Sequence, residues 1–228
     1  AYTTLNSHQV DLYLSVYPAK DSVPYPRYKM NKITVVTGYN ALSENIERYY
    51  RDTTTTDYKD IFITRGRDHF LRSTAIYRPN LMRKGAYFSD YVLSRTYQNY
   101  SNLGAVKQVS IVTRPSPQDS LRLMDATITL IPANPHWFRA NIDGTNSAGD
   151  IGIAPSVSYQ HQNIFNGAEQ LNIQLKGAYE FITGNKSSSL GSNYYELGGE
   201  VSLTFPQFVF PYLKKSWRER PNASTKVS

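Results

Sequence analysis

Three glutamates, Glu180, Glu196 and Glu200, are the side chains best suited by type and spacing to chemistry. Carboxylates held close together can divide into a general acid and a general base. These three, however, each occupy a polar position in a segment where every second residue is apolar, and a strand's polar face collects such residues without catalytic purpose. The four histidines, His8, His69, His136 and His161, lie far apart in the chain and in no metal-ligand spacing. Neither a G-x-S-x-G elbow nor a G-x-x-x-x-G-K-[ST] loop occurs. Cysteine is absent, so there is no disulfide framework and no thiolate metal site. The expectation is a protein that is not an enzyme, with no cofactor and no bound metal.

The elements that carry the glutamates are more informative than the glutamates. Leu171, Ile173, Leu175, Gly177, Tyr179 and Phe181 alternate with Gln170, Asn172, Gln174, Lys176, Ala178 and Glu180. Tyr195, Leu197, Gly199, Val201, Leu203 and Phe205 alternate with Tyr194, Glu196, Gly198, Glu200, Ser202 and Thr204. Period-two alternation gives one apolar and one polar face. Strands of about ten residues are long for a soluble sheet and suit a bilayer crossing. Trp137–Gly144 and Ile151–His161 extend the pattern to four strands. An apolar exterior and polar interior mark an outer-membrane barrel. Leu171, Ile173, Leu175, Leu197, Val201 and Leu203 are then expected to face lipid, and Glu180, Glu196 and Glu200 the barrel lumen. Such barrels need at least about eight strands, so the chain is expected to be a piece of a larger one. No apolar run approaches the length of a spanning helix, and the sequence shows no signal-peptide pattern, so a fragment or a trimmed mature form is expected.

The net charge is +7, from 25 Lys and Arg against 18 Asp and Glu. The only short basic cluster, Lys214, Lys215, Arg218 and Arg220, reads as a solvated turn, so nucleic acid is not an expected partner. The 19 tyrosines suit aromatic girdles at membrane interfaces, and equally any sheet-rich protein.

Upstream, Val10–Tyr17 reads as a strand, and Lys20–Pro26 as a linker. Tyr28–Val36 is a second strand, and Ile61–Thr64 a short one. Thr37–Tyr58, with its four-threonine run, reads as a helical turn and loop. Pro79 suits the first turn of a helix over Tyr77–Met82. Ser89 can cap a helix whose apolar face is Val92, Leu93, Thr96, Tyr97, Tyr100 and Leu103, with Gly104 as its C-terminal stop. Strands Val106–Thr113 and Leu123–Ile131 follow, and Pro132–Pro135 forms a hinge. The order strand, helix, helix, strand, strand describes a small α+β unit.

The segment KGAYFSDYVLSRTYQNYSNLGAVKQVSIVTRP (Lys84–Pro115) resembles the core of a POTRA (polypeptide-transport-associated) domain. GTNSAGDIGIAPSVSYQHQNIFNGAEQLNIQLKGAYEF (Gly144–Phe181) resembles the first barrel hairpins of BamA/TamA-type assembly pores, with Asn163–Glu169 as their first periplasmic turn. The TamA-like lipoprotein branch, TamL, is the nearest in pattern. The fold implied is an α+β POTRA domain of βααββ order, followed by an incomplete antiparallel transmembrane β-barrel of about four strands. The implied divisions are 1–24, the end of a preceding POTRA domain and a linker; 25–132, a POTRA domain with an insertion; and 133–228, the first barrel strands. The location implied is the bacterial outer membrane, with the POTRA region in the periplasm.

That resemblance implies binding rather than catalysis. An incoming unfolded outer-membrane protein would pair with the first barrel strand, Trp137, Phe138, Arg139, Ala140, Asn141, Ile142, Asp143 and Gly144, by strand addition. Outer-membrane lipid, and periplasmic or lipoprotein partners, complete the implied set. A two-partner-secretion or porin-like channel is the alternative within membranes. A soluble β-rich binding or adhesin domain is the alternative from another class.

Overall fold

The computed structural model describes residues 27–38, 53–66, 69–117, 122–147, 150–181, 194–207 and 224–228. The strand expected at Val10–Tyr17, the linker Lys20–Pro26 and the basic cluster Lys214, Lys215, Arg218 and Arg220 lie outside them. The described chain is mostly strand and forms two five-stranded sheets.

The first sheet contains β1 (Lys29–Thr37), β2 (Thr54–Tyr58), β3 (Ile61–Arg65), β4 (Val106–Pro115) and β5 (Leu123–Pro132). Helices α1 (Ser73–Tyr77) and α2 (Asp90–Ser101) lie between β3 and β4. Spatial order is β2-β3-β1-β5-β4, with β1 parallel to both β3 and β5. This corrects the expected fold class. Among the described residues the order is β-β-β-α-α-β-β in a five-stranded sheet, and not the five-element βααββ unit of a POTRA domain. The physical reason lies in the threonine run. Thr54–Thr56 lacks apolar alternation, yet its β-branched side chains favour extended backbone. It forms an edge strand antiparallel to β3, closed by Lys59 at φ 58°. The hairpin thus sets β2, where a helical turn and loop were expected, beside β3, the short strand expected at Ile61–Thr64.

The core follows from alternation on the central strands. Ile33 and Val35 of β1, Ile61 and Ile63 of β3, and Ile128 and Leu130 of β5 all turn to one face and are buried beneath the helices. A register shift in β1 between Met30 and Ile33 is satisfied by Asp125, whose Oδ1 accepts from the Lys32 amide at 3.0 Å and the Asn31 side chain at 3.0 Å.

Helix α2 begins after Ser89 as expected, but the Ser89 hydroxyl makes no capping bond. Its buried face is partly polar. Thr96 donates to the Val92 carbonyl at 2.8 Å and accepts from the Leu81 amide at 3.1 Å. Asn99 donates to the Pro79 carbonyl at 3.0 Å. Tyr97, expected on the apolar face, is exposed. Pro79 follows α1 instead of opening a helix.

Tyr100 is fully buried, and its hydroxyl donates to the Ile76 carbonyl at 2.6 Å. Burial pushes its phenol pKa up, so the group stays a donor. Tyr100→Phe leaves that carbonyl unsatisfied and is expected to lower stability by about 1–2 kcal/mol, read from urea denaturation midpoints.

The second sheet comprises β6 (His136–Ser147), β7 (Asp150–His161), β8 (Gln170–Phe181), β9 (Tyr194–Phe205) and the short β10 (Thr225–Val227). It is antiparallel throughout in the order β10-β9-β8-β7-β6, five strands where four were expected.

Candidate functional site

Register decides what each face of the second sheet displays, because a slip of one residue would invert every side chain. Leu171 opposes Leu203, Ile173 opposes Val201, and Gly177 opposes Leu197. Leu175 shares their parity, so all six leucine, isoleucine and valine residues named above lie on one face. Phe138, Ala140, Ile142 and Val157 join that face through β6 and β7. The face is open: Leu197 is 87% exposed, Ile142 79% and Phe138 73%.

Its two ends are aromatic. Phe138 and Tyr159 pack at 4.8 Å between ring centroids near the linker end, beside His136 and His161, whose rings also lie 4.8 Å apart. Tyr179 and Phe181 meet edge to face at 4.7 Å at the other end. From the His161–Leu171 row to the Ile151–Phe181 row the strands run about 33 Å. Tilted by about 40°, that span becomes about 25 Å, the height of a barrel's apolar band.

The opposite face carries Glu180, Glu196 and Glu200, but not as a carboxylate pair. Each opposes a different residue: Tyr194, Ala178 and Gln174 respectively. Glu200 lies 3.3 Å from the Lys226 ammonium, and Glu196 accepts from the Tyr194 hydroxyl at 3.4 Å. Trp137, Arg139, Asn141 and Asp143 also face this side, with the Arg139 guanidinium over the Trp137 ring at 5.2 Å. A concavity of about 450 Å³ interrupts the face, floored by Ala154, Ala178 and Gly198.

Strand β6 holds the whole segment Trp137, Phe138, Arg139, Ala140, Asn141, Ile142, Asp143 and Gly144, and continues to Ser147. Among the described residues it pairs only with β7, so it is an edge. The β7–β8 ladder fixes the direction of its amides. Pairing there skips Ala154 and Pro155, while the β6–β7 ladder is unbroken across both. Proline has no N–H, so the missing donor points toward Gly177 on β8. Alternation along antiparallel strands then turns the backbone groups of Phe138, Ala140, Ile142 and Gly144 toward the free edge, and those of Arg139, Asn141 and Asp143 toward β7.

The turn Asn163–Glu169 is docked on the helix-covered sheet. The Arg72 amide donates to the Asn166 carbonyl at 2.7 Å, and the Asn163 side chain donates to the Phe70 carbonyl. Arg72 Nη2 meets Glu169 Oε1 at 2.6 Å, and Glu169 Oε2 accepts from the Gly167 amide at 2.8 Å. Ala168, at φ 62°, is buried in the first sheet's core. Gly104 is not a left-handed helix stop. It is a point of close approach, where a Cβ would lie 2.3 Å from the side-chain Nε2 of Gln170.

Two features escaped sequence reasoning. His136 and His161 are direct cross-strand partners, with the Tyr159 hydroxyl 2.9 Å from His136 Nδ1. Their mirror placement about the β6–β7 turn was the available signal. Arg72 and Glu169 are 97 residues apart, and no local pattern joins them.

No family model matches the chain, and no curated protein sequence matches it. Three solved structures are similar in part. BamA from Haemophilus ducreyi lacking POTRA domains 1-3 is 12% identical at a TM-score of 0.33, covering 78% of this chain and 48% of that one. CdiB from Acinetobacter baumannii is 10% identical at a TM-score of 0.42, covering 84% and 53%. CdiB from Escherichia coli is 11% identical at 0.33, covering 84% and 49%. The chain spans about half the length of each, and none of the three is named for the TamL branch.

Proposed function

We propose that the second sheet lies in the bacterial outer membrane and that the free edge of β6 receives strands of unfolded outer-membrane proteins during their insertion or translocation. The observation that carries this reading is the open apolar face, about 25 Å tall after tilt and aromatic at both ends, on a sheet that stops at an exposed edge. In water such a face is a liability. In hydrocarbon it is the required surface, with Leu171, Ile173, Leu175, Leu197, Val201 and Leu203 against acyl chains and Glu180, Glu196 and Glu200 toward the lumen. The helix-covered sheet then sits on the periplasmic side.

The mechanism is backbone pairing. An unpaired N–H or C=O in hydrocarbon costs several kcal/mol. A client strand laid along Phe138, Ala140, Ile142 and Gly144 satisfies its own groups and theirs together. Side chains of the edge contribute selection, since Arg139 and Asp143 would place opposite charges on the polar side.

Cysteines placed at Arg139 or Asn141 are expected to form disulfides with a cysteine in a client's terminal strand while the client is inserting. The 228 residues contain no cysteine to compete. Steady ion conductance, with no trapping under conditions where the client still inserts normally, would instead favour a channel.

A further inference from the structure

We propose that the Arg72–Glu169 ion pair is a latch that holds the helix-covered sheet rigidly against the base of the second sheet. This inference goes beyond the strand-addition reading and does not depend on it.

The two sheets are joined covalently only by the three residues between Pro132 and His136. A single short link between packed units ordinarily permits relative motion. The Asn163–Glu169 turn supplies a second point of attachment, on the opposite side of the β7 strand from the link. Two separated attachments remove the swivel that one would leave.

The turn is built around the latch. Glu169 is almost fully buried, so its carboxylate depends on the partners at hand. They are the Arg72 guanidinium and the Gly167 amide. Arg72 is the half-exposed member and Glu169 the buried one, so loss of Arg72 would leave a buried carboxylate with the Gly167 amide alone. Gly167 is the fitted piece: a Cβ there would lie 2.2 Å from Glu169 Oε1 and 2.5 Å from Arg72 Nη2. Adding one methyl group therefore wedges the pair apart without removing either charge.

The test reads orientation and not stability. Spin labels on cysteines at Tyr91, exposed on α2, and Glu196, exposed on β9, report the distance between the two sheets in the full chain reconstituted in phospholipid nanodiscs. The native pair is expected to give one narrow distance population. Arg72→Gln and Gly167→Ala are each expected to lose it to a broad distribution, with circular dichroism unchanged. Lys226→Gln, which removes the exposed pair to Glu200, is expected to leave it narrow. A broad native distribution, a narrow one in both latch variants, or equal broadening with Lys226→Gln would each overturn the latch. None of these results depends on whether a client strand pairs with β6.

Discussion

Leu197→Arg is expected to cost about 2–4 kcal/mol of stability when the protein is folded in phospholipid vesicles, the penalty for a cation near the midplane of a barrel's lipid face. The position suits the test. Leu197 lies in the row Ile142–Pro155–Gly177–Leu197, close to the middle of the apolar face, and is 87% exposed. It makes few contacts that a longer side chain would disturb, so in water the same substitution should fall within about 0.5 kcal/mol of neutral. Glu196→Arg is the matched control one residue away on the polar face, and it is expected to change stability little in either setting. Urea unfolding of both variants in vesicles decides the matter. A large loss for Leu197→Arg alone supports the membrane reading. Equal small losses for the two would put the sheet in water and leave the soluble binding-domain alternative standing.

What the sequence revealed and what it concealed divide along physical lines. Gln170–Phe181 and Tyr194–Phe205 were legible to the residue because twelve positions of strict alternation leave one register and one phase. Helix α2 was legible as a helix, but its packing only in part. Thr96 and Tyr100 were placed on the packed face and are buried there, but Asn99, buried by its hydrogen bond to the Pro79 carbonyl, was not, because apolar periodicity does not register it. Strand β2 was hidden because Thr54–Thr56 has β-branched propensity without alternation, and what makes it a strand is the edge of β3 beside it. That hairpin is also why a βααββ order was expected and not found. The candidate edge residues Trp137–Gly144 could be placed on a strand, but their outward backbone direction needed the ladder break at Pro155. The Arg72–Glu169 pair lay wholly beyond local reasoning, since it exists only once the β7–β8 turn meets the start of α1.

Ile142→Pro is expected to reduce client assembly by at least about tenfold, the scale set by losing one backbone bond in hydrocarbon. The reasoning depends on amide direction. The Ile142 N–H points away from β7, so proline there removes a donor that a client strand would use and leaves the β6–β7 ladder whole. Proline is tolerated at an edge with its missing N–H outward. Arg139→Pro gives the contrast, because the Arg139 amide points into the ladder and its loss should lower the protein's own stability. The two effects are therefore separable: assembly falls beyond any change in unfolding free energy for Ile142→Pro, and unfolding free energy falls first for Arg139→Pro. The measurement is the rate at which a client barrel becomes protease-resistant in vesicles carrying each variant, beside that variant's own urea unfolding curve. If Ile142→Pro leaves client insertion at the native rate, the edge of β6 is not the surface that clients use, however open it is. The second sheet's apolar face would then describe a membrane wall without a template, and the polar face with its glutamates would become the surface to examine for transport.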